Sequence, residues 1–365
     1  MNYRITSLSF TFIFICIINA MLPGSLIPYM IMNANTSLFI CILISFILGL
    51  VVIHFFFKVF DYLPEYSLYN KINYLFPKFI SKLLVFIILL FTFIFGIFVF
   101  WRYSTLISLE FLVETPNFLI VLILILPIIY TTLYDMETIA KVSTFCIFVG
   151  GFLFINNTFS LIKDINLSNF LPILNDSIVK LSKNSIIFLV LNVVPILSLL
   201  VIPKDNVIDK EKVKKSVYVG YIINSVCITL IFVCTVGVLG INLSRIFTFP
   251  SYEVLKTINM FSFLDNIENI NILIWVLFMT LCLAYNIQAI KIGLYEVFNV
   301  RSNRKQIISL GLIIVLLISI VIYLIPYENY LNKSNVNYIY VPFILLCLSI
   351  IIVSFVYIYG KISKK

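Results

Sequence analysis

Two short phrases interrupt otherwise apolar stretches of this chain, Asn19-Ala20-Met21-Leu22-Pro23-Gly24-Ser25 and Asn192-Val193-Val194-Pro195. Pro23 and Pro195 each remove a backbone donor and crowd the preceding turn, while Gly24 tolerates dihedral angles closed to other residues. A helix broken in this way at mid-membrane frees peptide N–H and C=O groups that can take the place of water around a polar solute. The chemistry they predict is binding rather than catalysis. The N-terminal end of a half-helix suits an anion such as a carboxylate, and an ammonium group would be left to carbonyls and hydroxyls. A kink without any ligand is the alternative for each phrase, because prolines are common in membrane helices. The two prolines lie 172 residues apart, close to half the chain, which agrees with an inverted repeat of two five-helix halves.

From the first phrase Asn19, Met21, Pro23, Gly24 and Ser25, and from the second Asn192, Val194 and Pro195, are the candidate ligand-binding residues. Thr92, Gly96 and Val99 in a third apolar stretch, and Thr280, Cys282, Tyr285 and Asn286 in an eighth, are further candidates for the cavity wall. Gly96 would leave room for a ligand, or simply allow close helix packing. Lys291 is the one strong candidate for a coupling residue. It lies about 10 Å from the cytoplasmic end of its stretch by helix rise, so it either snorkels to the headgroups or supplies a charge in place of a coupling cation. Arg102 and His54 read as a snorkelling or vestibule residue and a packed one. The seven cysteines contain no CxxC pair and share the chain with one histidine, so no metal site and no cofactor is expected. No cluster of Ser, His, Asp, Glu or Cys has catalytic spacing, which argues against an enzyme.

Those residues need a lipid-solvated frame. Of the 365 residues 62% are hydrophobic and 11% charged, with mean hydropathy +1.13, more apolar surface than one soluble core could bury. Apolar runs long enough to cross the hydrocarbon fall at 8–32, 38–60, 83–109, 118–134, 142–162, 186–203, 217–240, 271–298, 307–325 and 337–360. The chain is thus predicted to be an all-α polytopic membrane protein of ten transmembrane helices. It forms one transmembrane domain over 1–365, with five-helix repeats over 1–162 and 186–360.

Charge sets the direction. With the N-terminus in the cytoplasm, 17 of the 25 Lys and Arg lie on the inner side, seven lie outside and Lys291 lies within a span. That bias puts both termini in the cytoplasm. The net charge of +9 sits in loops rather than along one face and does not indicate nucleic acid. Two outer loops, 163–185 and 241–270, are long enough to carry structure. In the second, Phe249, Leu255, Ile258, Phe261 and Leu264 predict a short interfacial helix, either a lid on an outward-facing cavity or an anchor.

Five phrases occur in order between the spans: Asn19-Ala20-Met21-Leu22, Glu114-Thr115-Pro116, Glu137-Thr138-Ile139-Ala140-Lys141, Asn166-Leu167-Ser168-Asn169-Phe170-Leu171-Pro172-Ile173-Leu174 and Thr248-Phe249-Pro250-Ser251. On these the chain resembles the endospore germination permease family, the B subunits of GerA-type nutrient receptors, from about Ser7 to the end of the tenth span. The resemblance implies an amino-acid-permease, LeuT-like fold and a germinant pocket formed by spans one, three, six and eight. It also implies a complex with an A subunit and a C lipoprotein in the spore inner membrane, where binding a small nutrient, an amino acid by expectation, triggers germination. The chain departs from relatives in having Pro23 where they often carry a small residue, and Pro195-Ile196-Leu197 where they often carry Gly-x-Glu. A proton-coupled amino-acid transporter is the competing function.

Overall fold

The computed structural model describes residues 3–258, 267–298 and 340–362, and within these the chain is helical, with no strand beyond a single bridge between Ile5 and Val207. Span one is α1 (Ser7–Met21), a π-helical turn (Leu22–Leu26) and α2 (Ile27–Ala34). There follow α3 (Leu38–Asp61), the short α4 (Leu68–Leu75), α5 (Lys78–Glu110), α6 (Asn117–Thr132) and α7 (Met136–Ile162). Span six is α8 (Ile178–Asn192) continued by a 3-10 helix (Val194–Val201). The chain then forms α9 (Val213–Ser244), α10 (Pro250–Lys256), α11 (Ile267–Phe298) and α12 (Tyr340–Ile362).

Among the described residues seven helical segments are long and apolar enough to cross a membrane, and Ser7–Met21 and Asn117–Thr131 are shorter apolar helices. The protein is therefore a multi-pass, all-helical membrane protein. The predicted ninth span, 307–325, lies outside the described residues, as do Phe261 and Leu264 of the expected interfacial helix.

Boundaries follow capping chemistry where hydropathy alone does not reach. α8 starts eight residues before the expected span because the Ser177 hydroxyl accepts from the Lys180 N–H at 3.4 Å and Lys180 pairs with Asp176 at 2.7 Å; such a cap satisfies donors that the first turn leaves over. α4 was not expected at all. The Ser67 hydroxyl caps it at 3.3 Å, and its Lys71 ammonium, 2% exposed, donates to the carbonyls of Val59 and Phe60 at the end of α3. Burial lowers the Lys71 pKa to about 8, although Asp61 opposes the shift. α9 bends at Gly240, whose φ of 71° is open to glycine. There the Asn166 N–H and the Asn169 amide both donate to the Gly237 carbonyl, at 3.0 and 2.8 Å. The asparagines of that loop phrase thus serve the bend in α9.

Spans six and eight form the centre of the bundle: 83% of the apolar window of span six and 72% of that of span eight are buried, against 17% for α12. α11 packs on α5, α1 and α7, and α3 on α8. A continuous apolar core runs through all these helices. Because the lipid is as apolar as the side chains, close packing and the buried hydrogen bonds described below specify the arrangement.

Candidate functional site

At both proline phrases the backbone leaves the α-helix without unwinding. In span one the Leu22 N–H reaches only to the Asn19 carbonyl, and the Ile27 N–H reaches back five residues to the Leu22 carbonyl. The turn widens around Pro23 instead of opening, because five-residue bonds step over the position where proline has no donor. In span six the opposite happens. α8 stops at Asn192, Val193 sits at φ −107°, and the Ile196 N–H bonds to the Val193 carbonyl at 3.0 Å, so the chain tightens to three residues per turn. Pro195 offers no N–H to the Leu191 carbonyl four residues before it. The expected full breaks are therefore one loosened and one tightened turn, each on the residues foreseen.

The two spans cross antiparallel. α1 packs on the 3-10 half of span six, while the π turn and α2 pack on α8. Hydrogen bonds hold both ends. At one, the Ile5 N–H donates to the Asn206 carbonyl at 3.0 Å and the Ile208 N–H to the Ile5 carbonyl at 2.9 Å. At the other, Asn184 donates to the Asn33 carbonyl at 3.2 Å and Asn35 to Asp176 at 3.0 Å.

Beside the 3-10 turn lies a cavity of about 70 Å³ between α4, α5, span six, α11 and α12. Thr92, Val194, Pro195 and Asn286 line it, together with Tyr69 and Ser198. Four predicted residues from three spans thus converge on one space. Tyr285, fully buried, donates from its hydroxyl to the Ser198 carbonyl at 2.6 Å and so ties α11 to the turn. The Asn286 amide donates to the Cys282 carbonyl at 2.9 Å, which fixes its side chain on α11.

A second cavity, about 230 Å³, lies between α1, α7, α9, α10 and α11 and holds Asn19 on its wall. Sequence reasoning missed its other polar residues, among them Asn157, Asn224, Ser251 and Asn271. The signal was there, since an asparagine within an apolar span is itself a polar residue in need of a partner. α10 covers this cavity through Ser251, Val254 and Leu255. The expected interfacial helix is accordingly packed into the bundle, with Phe249 and Ile258 also buried.

The remaining predicted residues with a described side chain are buried but line neither cavity: Met21, Pro23, Gly96, Val99, Asn192, Thr280 and Cys282. Asn192, with 0% exposure, has no protein partner for either amide atom. The backbone of Gly24 and Ser25 lies in the π turn, and the Ser25 side chain is not among those described. Lys291 is 0% exposed and so does not snorkel to the surface; Asp135, in the link between α6 and α7, acts on it electrostatically. Arg102, near the end of α5, lies over the rings of Trp101 and Phe249, each 5.8 Å from the guanidinium carbon. Among the described residues no charged side chain lines either cavity. Among the described residues no group of three or more His, Cys, Asp or Glu could hold a metal ion.

An antiparallel pair of irregular spans, crossing in an all-helical membrane bundle with cavities beside the crossing, defines a permease-like protein. Solved transporters share this architecture. A Na⁺-coupled sialic acid symporter in its substrate-bound outward-open state aligns with TM-score 0.62 at 12% identity, covering 88% of this chain and 74% of that one. Mhp1, a nucleobase-cation-symport-1 family transporter in a closed conformation with bromovinylhydantoin bound, gives TM-score 0.63 at 14% identity, covering 88% and 75%. An Eremococcus coleocola manganese transporter gives 0.53 at 15% identity, covering 95% and 76%. These likenesses fix the LeuT-like fold. No curated protein sequence matches the chain. The family model described as spore germination protein, Spore_permease, matches residues 7–329. The chain belongs to that family.

Proposed function

We propose that this chain is the permease-like subunit of a spore germinant receptor, which binds a small nutrient beside the 3-10 turn of span six and passes the change to partner subunits. The observation that carries the reading is the convergence of Thr92, Val194, Pro195 and Asn286 on one cavity at the 3-10 turn of span six. At about 10–15 Å³ per water-sized position, a cavity of about 70 Å³ offers roughly five or six positions. Glycine and alanine have about that many heavy atoms, so an amino acid with a short side chain is the class that fits. With no charge on the wall among the described residues, its ammonium would rest on carbonyls released around Pro195 and on the Ser198 and Thr92 hydroxyls, its carboxylate on backbone N–H groups. The halves 1–162 and 186–360 act as inverted repeats, a reading supported by the antiparallel crossing. In the spore inner membrane, with both termini in the cytoplasm, the chain works with an A subunit and a C lipoprotein. Binding favours one arrangement of the halves, and that bias is the signal.

Purified protein in lipid vesicles tests this. Saturable binding of glycine or alanine with little flux, lost in Asn286→Leu, is expected. Steady accumulation of amino acid under a proton gradient would displace sensing in favour of a proton-coupled transporter. One observation favours that second reading, the complete burial of Lys291, since an ammonium enclosed by the protein away from solvent suits a coupling role. Lys291→Met should then abolish proton-driven uptake; unchanged coupling removes the mechanism.

A further inference from the structure

The cavity beneath α10 has a chemistry of its own. Four asparagines meet there as two amide pairs: Asn19 donates to the Asn224 carbonyl oxygen at 3.1 Å, and Asn157 to that of Asn271 at 2.6 Å. Asn224 (6% exposed) and Ser251 (3% exposed) each keep one polar atom, Nδ2 and Oγ, with no protein partner. A buried donor left in this way is costly, and the cost is recovered when a ligand supplies the missing acceptor. The rest of the wall is apolar and aromatic, with Phe154, Trp275 and Phe278. Among the described residues no charged group lines the cavity to pair with an ion, and moving an unpaired ion into such surroundings is prohibitive. At about 230 Å³ the space exceeds the roughly 150 Å³ that accommodates a benzene ring. Its mouth opens between two apolar spans: Gly151 of α7 and Ile223 of α9, both on the wall, are exposed. A Cβ on Gly151 would stand in open space.

We infer that this cavity is a second binding site, which takes an uncharged small molecule with an apolar or aromatic body and an amide-type polar edge, entering from the bilayer. The ligand carbonyl accepts from Asn224 Nδ2, the Ser251 hydroxyl completes the polar end, and the ring lies against Trp275 and Phe278. The inference stands apart from the amino-acid site, because it involves none of the residues around the 3-10 turn.

A matched set of probes tests it, with the full-length protein in lipid nanodiscs and tryptophan fluorescence as readout, since Trp275 lies on the wall. The probes are benzamide, benzoate, benzylamine and toluene, which share a ring and differ at the polar edge. Benzamide is expected to bind saturably and more tightly than the other three. Asn224→Leu should weaken benzamide tenfold or more and leave toluene unchanged, Ser251→Ala should weaken benzamide several-fold, and Gly151→Phe should weaken every probe by closing the mouth. If Asn224→Leu does not fold, Ser251→Ala decides alone, because that hydroxyl has no protein hydrogen bond to lose. Toluene binding as tightly as benzamide would make the space an acyl-chain groove and overturn the proposal. So would preference for either ion, or benzamide affinity indifferent to both polar substitutions.

Discussion

Replacing Asn192 by leucine is expected to make the ligand-free protein more stable while leaving its response to an amino acid in place, since Asn192 lies off the cavity wall. Asn192 ends α8 where the helix tightens, is wholly buried, and makes no hydrogen bond from either amide atom to the protein. Each such orphaned atom costs about 1–3 kcal/mol. Leucine has the same branching with two methyl groups in place of the amide atoms, and its extra volume costs about 1–3 kcal/mol in a packed core. Two relieved atoms against one overpacked site leave a net gain of about 1–3 kcal/mol, a rise of a few degrees in unfolding temperature for a chain of this size. The seven cysteines are free and none is exposed, so a thiol-reactive dye reports unfolding of detergent-solubilised protein directly. Wild type and Asn192→Leu should both gain stability when glycine or alanine is added. A fall of several degrees in the leucine variant would mean that the amide is held by a protein network. A lost amino-acid response in the leucine variant would mean that the ligand reaches Asn192 and that the cavity beside the 3-10 turn is not the whole site.

Gly49 lets the Tyr221 hydroxyl reach the Phe46 carbonyl at 3.0 Å. A Cβ at Gly49 would overlap that hydroxyl, lie 2.8 Å from Tyr221 Cζ and 3.0 Å from Val193 Cγ2 at the entry to the 3-10 turn. Gly49→Ala should therefore cost about 2–4 kcal/mol, and combining it with Tyr221→Phe should recover at least about 1 kcal/mol; additive thermal shifts would refute the clash. Lys71 binds its proton less readily in the fold than in the unfolded chain, whose value is 10.5, so between about pH 8 and 10.5 the unfolded state holds the extra proton and stability rises with pH. In Lys71→Met that rise, of order 3 kcal/mol, should be absent from unfolding curves taken across the window. Tyr285→Phe removes the bond to the Ser198 carbonyl and should cost about 1–2 kcal/mol, and an unaltered unfolding temperature would show that this bond does not hold the turn.

Hydropathy and charge were enough to establish a helical, multi-pass membrane protein, because both are sums over long stretches that no tertiary contact can reverse. The positions of the irregular turns were legible for the same local reason, since proline denies the backbone a donor in whatever surroundings it is placed. What the chain does about the missing donor is not local. Span one widens and span six tightens according to the neighbours that pack on each, and only the assembled bundle brings Thr92, Pro195 and Asn286, from three separate spans, to one cavity. α4 and the bend at Gly240 escaped notice because capping by Ser67 and by Asn169 depends on side chains meeting particular backbone groups. The asparagine pairs escaped it because residues up to 205 positions apart become partners. Within a span, sequence shows only that an amide is buried; the fold decides whether a second amide, or a solute, completes its hydrogen bonds.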